Sequence, residues 1–284
     1  MICQLYAQKR PVLSFEVFPP KQDSQIETIY ATLDHLTGLS PDFISVTYGA
    51  AGSGNAHRTA EIASAVRKRG VEALAHLTCV STDRNQINTI LDNLKEKNID
   101  DILAMRGDLP AGSSLPLSKD YRYASDLIED IAGRGDFCIG AACYPEGHID
   151  CDDFSVSLDH LRLKQDAGAN FLISQLFFEN DLFWNFLEKA RLKGITLPIS
   201  AGVMPIMSRS QIERMIFLCG ASLPSKIIRL LHRYEHSPAD LEKAGVEYAI
   251  AQMEDLVRGG AEGVHIYTMN KPHVAALAIN RLRK

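Results

Sequence analysis

The stretch Ile102-Leu103-Ala104-Met105-Arg106-Gly107-Asp108-Leu109-Pro110 runs from an apolar strand directly into a charged turn. Its apolar first part predicts a strand that is buried on both faces, which is typical of a parallel sheet covered by helices. The turn places a cation, an unhindered backbone amide and a carboxylate at the carboxyl end of that strand, and the proline ends ladder pairing. A surface turn with a solvated ion pair is the alternative. It ranks second because other predicted strands also end in polar residues.

The composition favours a protein that handles small molecules. A chain of 284 residues with 46% hydrophobic residues can bury a large core, either as two modest domains or as one α/β barrel of roughly 250 residues. The net charge of -5 and the scattered Lys and Arg residues argue against nucleic-acid partners, because phosphate binding needs a clustered basic surface. No basic region precedes an apolar run at the N-terminus, and no stretch approaches the ~20 apolar residues of a membrane span. A cytoplasmic protein without a membrane partner is therefore expected.

The six cysteines predict no metal site. They include no CxxC pair and no paired zinc spacing. Cys143, His148 and Cys151 could converge on a metal, but no fourth ligand is evident and their spacing fits no common zinc template. Reduced, buried thiols are the simpler interpretation for most of the six.

Strand patterns and helical periodicity alternate along the whole chain. The predicted strands cover residues 12–18, 43–48, 73–79, 103–105, 138–145, 171–178, 199–205 and 263–269. A doubly wound sheet would need a glycine fingerprint after its first strand and an acidic residue ending its second, and neither is present. Eight strand-helix units over residues 1–284 without a linker predict an α/β fold, a single (β/α)8 TIM-type barrel domain.

Extra helical patterns lie between the seventh and eighth predicted strands. They cover residues 211–219, 226–232 and 241–257, which is more than one crossover helix requires. This segment is available for packing or for a subunit contact, and a homo-oligomer is expected.

Polar side chains follow most of the predicted strands. Because all strands of such a barrel run parallel, these side chains converge on one rim. They are Glu16, Thr47, His76, Arg106, Asp108, Tyr144, His148, Gln175 and Tyr267. No Ser or Cys among them has an obvious His and carboxylate pair, and no lysine stands at a strand end for a Schiff base. Two carboxylates on different strands with a histidine suit proton transfer beside a bound organic cofactor.

Seven motifs, in this order and on these strands, resemble the flavin-dependent methylenetetrahydrofolate reductases over nearly the whole chain. They are Ser14-Phe15-Glu16-Val17-Phe18-Pro19-Pro20, Ser45-Val46-Thr47-Tyr48-Gly49-Ala50, His76-Leu77-Thr78-Cys79, Arg106-Gly107-Asp108-Leu109-Pro110, Tyr123-Ala124-Ser125-Asp126-Leu127, Asp166-Ala167-Gly168-Ala169-Asn170 and His265-Ile266-Tyr267-Thr268-Met269-Asn270.

The resemblance implies FAD bound at the carboxyl rim. The flavin would be reduced by NAD(P)H or a protein electron donor, and would then reduce 5,10-methylenetetrahydrofolate to 5-methyltetrahydrofolate. Glu16 matches the family's general acid, which assists opening of the five-membered ring to an iminium. Asp108 matches the carboxylate beside the flavin and the pterin. An anion there disfavours the anionic reduced flavin and stabilises cationic folate.

The resemblance also implies binding residues. Positions matching FAD contacts are Thr47, Tyr48, Ala50, His76, Arg106, Gly107, Asp108, Tyr123, Ala124, Tyr144, His148, His160 and Lys164. Positions matching contacts of the folate or the nicotinamide donor are Glu16, Asp108, Gln175, Gln211, Tyr267 and Lys271. Arg106 and Lys164 are the cations expected near the pyrophosphate. The structural alternatives are a core aromatic at Tyr144 and ordinary solvated helix residues at His160 and Lys164.

Four positions depart from the family pattern. Ser157 stands where many members carry an Asp that contacts the cofactor, and Leu163 where some bacterial members carry an Arg. Met215 replaces a Phe that stacks on the nicotinamide nucleotide in some bacterial enzymes, which leaves the donor open. Lys271 replaces an Arg near the folate tail and loses its bidentate geometry.

Two other functions compete with the reductase. One is a flavin-binding subunit without catalysis that serves a redox complex with a ferredoxin-like donor; retention of Glu16 and Asp108 favours the enzyme. The other is a metal-dependent barrel hydrolase, which would need clustered histidine ligands such as HxH at a strand end, and these are missing.

Overall fold

The computed structural model describes residues 1–8, 11–20, 22–48, 56–109 and 118–283. Eight parallel strands pair in chain order and close into a barrel, with β1 hydrogen-bonded to both β2 and β8. The predicted TIM-type α/β barrel is confirmed. The strands are β1 Val12–Val17, β2 Phe43–Val46, β3 Glu72–Thr78, β4 Asp101–Met105, β5 Cys138–Cys143, β6 Phe171–Ser174, β7 Ile199–Val203 and β8 Gly263–Tyr267.

Helices surround the strands. Those of the described residues are α1 Ile2–Gln8, α2 Ile26–Gly38, α3 Ala56–Lys68, α4 Arg84–Glu96, α5 Ala124–Arg134, α6 Phe154–Asp166, α7 Asn180–Leu192, α8 Arg209–Cys219, α9 Ser225–Arg233, α10 Pro238–Arg258 and α11 Pro272–Leu282, with a 3₁₀ turn at Asp23–Gln25. The extra segment between strands seven and eight is confirmed, because α8, α9 and α10 all lie there. Asp83 and Gln86 form a capping box at the start of α4, and Pro272 opens α11.

Side chains alternate between the barrel interior and the helix layer. In β1, Leu13 and Phe15 belong to the large core under the helices, whereas Val12 belongs to a second cluster in the barrel interior. Because side chains of a strand alternate with period two, Ser14 and Glu16 share the face of Val12. The β4 stretch is buried on both faces as predicted, with Ile102 in the helix-facing core and Leu103 inside.

Several boundaries differ from the sequence-based prediction. The first residues, interpreted as a lead, form α1, whose Ile2 amide donates to Asp101 Oδ1 at 2.7 Å and whose Tyr6 hydroxyl lies 2.7 Å from Ser200 Oγ. Such a short helix lacks a periodic signal and owes its stability to packing. The β2 and β6 strands end at Val46 and Ser174, earlier than predicted.

The apolar residues that follow β6, up to Phe178, do not continue the strand. Gln252 Nε2 donates to the carbonyl of Phe177 at 3.0 Å, and the Tyr248 hydroxyl donates to that of Phe178 at 2.6 Å. Both donors lie on α10. The apolar run therefore continues past the strand because these two phenylalanines are buried under the extra helices. Across the described ranges, no helix is long and apolar enough to span a bilayer.

Candidate active site

Glu16 projects from the carboxyl end of β1 into the mouth of the barrel. Its Oε2 lies 3.4 Å from Nε2 of His265 and 3.5 Å from Nε2 of His76. The Ser45 hydroxyl donates to the same oxygen at 3.4 Å. The Glu16 side chain is only 18% exposed, so this carboxyl group has one partly accessible side and a polar, buried surrounding.

His265 is fully buried and held on several sides. Its Nδ1 lies 2.8 Å from the hydroxyl oxygen of Ser14, on the strand paired with β8. Its ring stacks on Phe43 with centroids 6.0 Å apart and meets the ring of Tyr267 edge-on at 5.3 Å. The orientation of this imidazole is therefore set by both packing and hydrogen bonding.

The protonation of this cluster follows from its burial. Burial raises the pKa of Glu16, but the hydrogen bond with His265, the proximity of His76 and the Ser45 hydroxyl together hold it below its ordinary value. Burial lowers the pKa of His76 to about 4, against the opposing attraction of Glu16. The hydrogen bond with His265 is the largest of the effects that stabilise the Glu16 carboxylate. The Nε2 atom of His76 has no hydrogen-bond partner among the described residues.

A cleft opens beside Glu16. The Tyr267 hydroxyl donates to the Ser174 carbonyl at 2.8 Å, and the Gln175 side-chain oxygen accepts from the Leu176 amide at 2.9 Å. The walls of the cleft carry polarizable sulfur atoms and apolar side chains with few polar groups, and such a lining suits a flat, conjugated ligand. The cleft is lined by Glu16, Phe18, Gln175, Leu176, Met204, Met215, Cys219, Tyr267, Thr268 and Met269.

A cationic cluster forms the adjacent rim after β4 and β5. Lys164 is partly buried, donates to the Ala142 carbonyl at 2.7 Å and lies 5.2 Å from the ring centroid of Tyr144. Burial lowers the pKa of Lys164 to about 8, with Arg106 contributing through repulsion. Burial and Arg106 also lower the pKa of His148. Bound negative charge would relieve this repulsion, so the cluster is suited to an anionic group.

The carboxylate of Asp150 is an anion that already pairs with this cationic cluster. Its Oδ2 accepts from Arg106 Nη2 at 2.8 Å, and the contact with Arg106 is the main reason that the pKa of Asp150 is lowered. The Asp150 side chain is 54% exposed, so the pair is accessible to exchange with a ligand. Gly107 follows at φ +91°, and a Cβ there would lie 3.0 Å from Cβ of Thr78, which explains the glycine at this turn.

Several other residues predicted to contact the ligands make local contacts of their own. Tyr123, just before α5 and Ala124, stacks on His160 with centroids 6.2 Å apart, and both rings are exposed. The carbonyl of Thr47 accepts from Thr59 on α3 at 2.9 Å. Asp108 is exposed, and together with burial its charge raises the pKa of Cys219 to about 11.

Three of the residues predicted to contact the ligands contact other parts of the protein in the structure. The Tyr48 side chain is buried in the helix-facing core. Gln211 holds the loop before α8, accepting from the Met207 amide at 2.7 Å and donating to the Pro205 carbonyl at 3.2 Å. Lys271 lies 3.2 Å from Glu242 and does not line the cleft. Their ligand contacts stay predictions, and Ala50 lies outside the described residues.

The departures from the family pattern have local explanations in two cases. Ser157 Oγ accepts from the backbone amide of His148 at 3.3 Å, so the serine supports the loop that carries this histidine. Met215 lines the cleft beside Glu16. Leu163 is 55% exposed, and nothing in the structure explains it.

The sequence-based prediction missed His265, Ser14 and Ser45 as site residues. A signal was present, because Ser14 precedes Glu16 by two positions and His265 precedes Tyr267 by two, which places each pair on one strand face. What the pattern could not show is that β8 closes against β1 and brings these faces together.

Comparison with known proteins gives one family over nearly the whole chain. The family model described as methylenetetrahydrofolate reductase matches residues 1–283. The 5,10-methylenetetrahydrofolate reductase of Pectobacterium carotovorum is 34% identical over 269 residues, covering 94% of this chain and 89% of the relative. The enzyme of the same name from Escherichia coli strain K12 is 33% identical over 264 residues, covering 93% and 88%. Methylenetetrahydrofolate reductase (NADH) 1 of Zea mays is 33% identical, and the match covers 92% of this chain but 46% of the plant protein.

Solved structures share the fold at low sequence identity. A Clostridium thermocellum protein described as binding two copies of 5-methyl-5,6,7,8-tetrahydrofolic acid superposes with a TM-score of 0.67 at 14% identity, covering 99% of this chain and 98% of the other. Dihydropteroate synthase of Xanthomonas albilineans gives a TM-score of 0.55 at 12% identity, covering 97% and 92%. These two likenesses show the barrel alone. The match of the family model over nearly the whole chain, with relatives one third identical, shows that this chain belongs to the methylenetetrahydrofolate reductase family.

Proposed function

We propose that this protein reduces 5,10-methylenetetrahydrofolate to 5-methyltetrahydrofolate, with FAD as its redox cofactor and Glu16 as the general acid. Family membership supports the reaction. The observation that carries the assignment of Glu16 is its carboxyl group, which lies between a cleft suited to a flat ligand and a buried pair of histidines.

The residues of the rim fit a flavin dinucleotide. Arg106, His148 and Lys164 would hold the pyrophosphate, because burial and repulsion from Arg106 disfavour the charged forms of His148 and Lys164, and a bound anion would stabilise those forms. His76 has a buried ring nitrogen without a hydrogen-bond partner in the described structure, and a ligand in the barrel mouth would satisfy it. When bound, the flavin supplies the hydride that the side chains of this protein cannot provide.

Glu16 supplies the proton for the same reaction. Opening of the five-membered folate ring breaks a carbon-nitrogen bond, and protonation of the departing nitrogen by a carboxylic acid lowers that barrier. Without ligands the pKa of Glu16 lies below its ordinary value, which favours the carboxylate. Ligands that fill the mouth would remove the remaining 18% exposure, and the added desolvation would raise the pKa toward the protonated form. Glu16 would therefore become protonated when the ligands bind.

Asp108 would act by its charge. It is exposed at the rim, and its negative charge influences both Tyr144 at the cationic cluster and Cys219 in the cleft. An anion between the two ligand sites opposes the build-up of negative charge on a reduced cofactor and stabilises a cationic iminium of folate. Gln175 and Tyr267 line the same cleft and would orient the pterin.

The electron donor and the assembly are part of the proposal. NADH, NADPH or a reduced electron-transfer protein could serve as the donor, and Met215 in the cleft would contact a nicotinamide ring in the first two cases. Phe217 on α8 is 84% exposed and Ile228 on α9 is 51% exposed, which supports a homo-oligomeric contact through these helices.

One experiment separates the enzyme from a flavin-binding subunit without catalysis. The purified protein, supplied with FAD, is mixed anaerobically with NADH, NADPH or reduced ferredoxin while the flavin absorbance is followed, and methylenetetrahydrofolate is then added. Bleaching by one of the donors, followed by reoxidation with formation of 5-methyltetrahydrofolate, is expected. Bleaching without folate-dependent reoxidation would favour the redox subunit, and a protein that acquires no flavin spectrum would contradict the cofactor.

A further inference from the structure

Three polar side chains inside the barrel, Ser14, Ser45 and His265, have no solvent exposure at all. Interior positions of this fold are usually filled by branched apolar residues, and burial of polar groups costs free energy unless they are hydrogen-bonded. Here they are bonded in a series that ends at Glu16. Ser14 Oγ lies 2.8 Å from His265 Nδ1, and His265 Nε2 lies 3.4 Å from Glu16 Oε2. Ser45 Oγ lies 3.4 Å from both Nε2 of His265 and Oε2 of Glu16.

This arrangement can hold one proton in two places. A proton on Glu16 makes the carboxylic acid a donor to Nε2, and the same proton on Nε2 makes the imidazolium a donor to the carboxylate. In both forms a hydrogen on Nδ1 of His265 can be accepted by the Ser14 hydroxyl oxygen, which lies 2.8 Å away. Both forms keep the contact between Glu16 Oε2 and His265 Nε2, so the shared proton can move toward Glu16 without a change of packing.

We propose that His265, supported by Ser14, is a positioning residue for Glu16 that keeps a shared proton in place for the opening of the folate ring. The inference rests on the proposed function of Glu16 and deepens it. In the step itself, Glu16 gives the proton to the departing folate nitrogen, the carbon-nitrogen bond breaks and a nitrogen-hydrogen bond forms. The pair is left as a carboxylate and a neutral imidazole, and one proton from water restores it before the next turnover.

Other titratable groups around Glu16 do not have this geometry. The groups that face it are His76 on β3, and His265 and Tyr267 on β8. His76 makes no hydrogen bond through Nε2 within the described structure, and the Tyr267 hydroxyl is already donated to the Ser174 carbonyl. Among these neighbours, His265 is the one whose hydrogen bond does most to lower the pKa of Glu16.

The test compares His265→Phe with His265→Gln. Phenylalanine keeps an aromatic ring between Phe43 and Tyr267 but removes both nitrogens, whereas the glutamine amide can still bond to the carboxyl group of Glu16. Tyr6→Phe is the matched control, because it removes a buried hydroxyl at 2.7 Å from Ser200 at the far end of the barrel strands. All variants are first compared with the wild type by thermal unfolding and by FAD binding.

The first readout is the titration of the Glu16 carboxyl group by infrared difference spectroscopy, with Glu16→Gln subtracted, in protein without folate. In His265→Phe the carboxyl group should titrate at a higher pH, by about one pH unit or more, because burial remains and its main hydrogen-bond donor is lost. His265→Gln should stay closer to the wild type, and Tyr6→Phe should match it. A wild-type titration in His265→Phe would overturn the inference, whatever the activity of the protein.

The second readout is the rate of flavin reoxidation by methylenetetrahydrofolate. We expect a loss of about tenfold or more in His265→Phe, since a displaced acid loses its alignment, and reduction of the flavin by its donor within twofold of wild type. Reoxidation at the wild-type rate in this variant would also reject the role of His265. A wild-type protein that does not reduce folate would instead reject the proposed function, and the infrared titration would still report on the pairing.

Discussion

Replacing Glu16 with glutamine should separate the two halves of the proposed reaction. The amide keeps the size of the side chain and can still bond to His265 and Ser45, which lie 3.4 Å from Oε2. These are long hydrogen bonds, so the loss of stability should stay below about 1 kcal/mol. Flavin reduction needs hydride delivery and no proton from residue 16, whereas opening of the folate ring needs an acid.

The expected loss is therefore confined to one half-reaction. An amide cannot donate a proton usefully to the departing nitrogen, so folate-dependent reoxidation of the flavin should slow by at least ~10²–10⁴-fold, the range typical for removal of a general acid. Reduction of the flavin should remain within about twofold of wild type, which corresponds to a change of about 0.4 kcal/mol in the activation barrier.

Stopped-flow absorbance of the flavin measures each half-reaction separately. Glu72→Gln is the matched control, because it makes the same chemical change at the first residue of β3, where Glu72 pairs with Arg67 at 2.6 Å, away from the mouth. Both half-reactions should be unchanged in that control. If reduced Glu16→Gln protein is reoxidised by methylenetetrahydrofolate at the wild-type rate, Glu16 is not the acid and the central assignment is wrong.

Three further predictions concern the rim. Asp108→Asn should raise the midpoint potential of the bound flavin by removing an anion and should weaken folate turnover; an unchanged potential in spectroelectrochemistry would remove the electrostatic argument. Asp150→Asn should tighten FAD binding modestly, up to about fivefold by fluorescence titration, because it frees Arg106 from a half-exposed ion pair worth at most about 1 kcal/mol; weaker binding would mean that Asp150 itself holds the cofactor. Because burial lowers the pKa of Lys164 to about 8, the lysine is charged below that pH and loses its charge above it. FAD affinity should therefore fall as the pH rises through about 8 to 9, and Lys164→Arg should abolish this fall, because arginine stays charged; the same fall in the arginine variant would assign the effect to another group.

The sequence by itself determined the barrel and the side of it that carries chemistry. Period-two alternation and helical periodicity are local properties, so they can be detected along β1 or α4 without knowledge of the neighbouring elements. Parallel strands in a closed barrel then bring their carboxyl ends together as a matter of topology, which is why Glu16, His76 and Tyr267 could be expected at one rim. The match to a known family added roles for particular residues.

Only the tertiary structure decided which polar residues on those strands interact. The spacing of His265 and Tyr267 places both on one face of β8, but the position of His265 beside Glu16 depends on the closure of β8 against β1. The apolar run after β6 continues past the strand because α10 covers it, and α1 exists because Ile2 and Tyr6 have a barrel to pack against. Gln211 bonds to its own loop and Lys271 to Glu242. Apart from the bonds of Gln211, these contacts join residues far apart in the chain, and their energies depend on distances of a few ångström that no local pattern encodes.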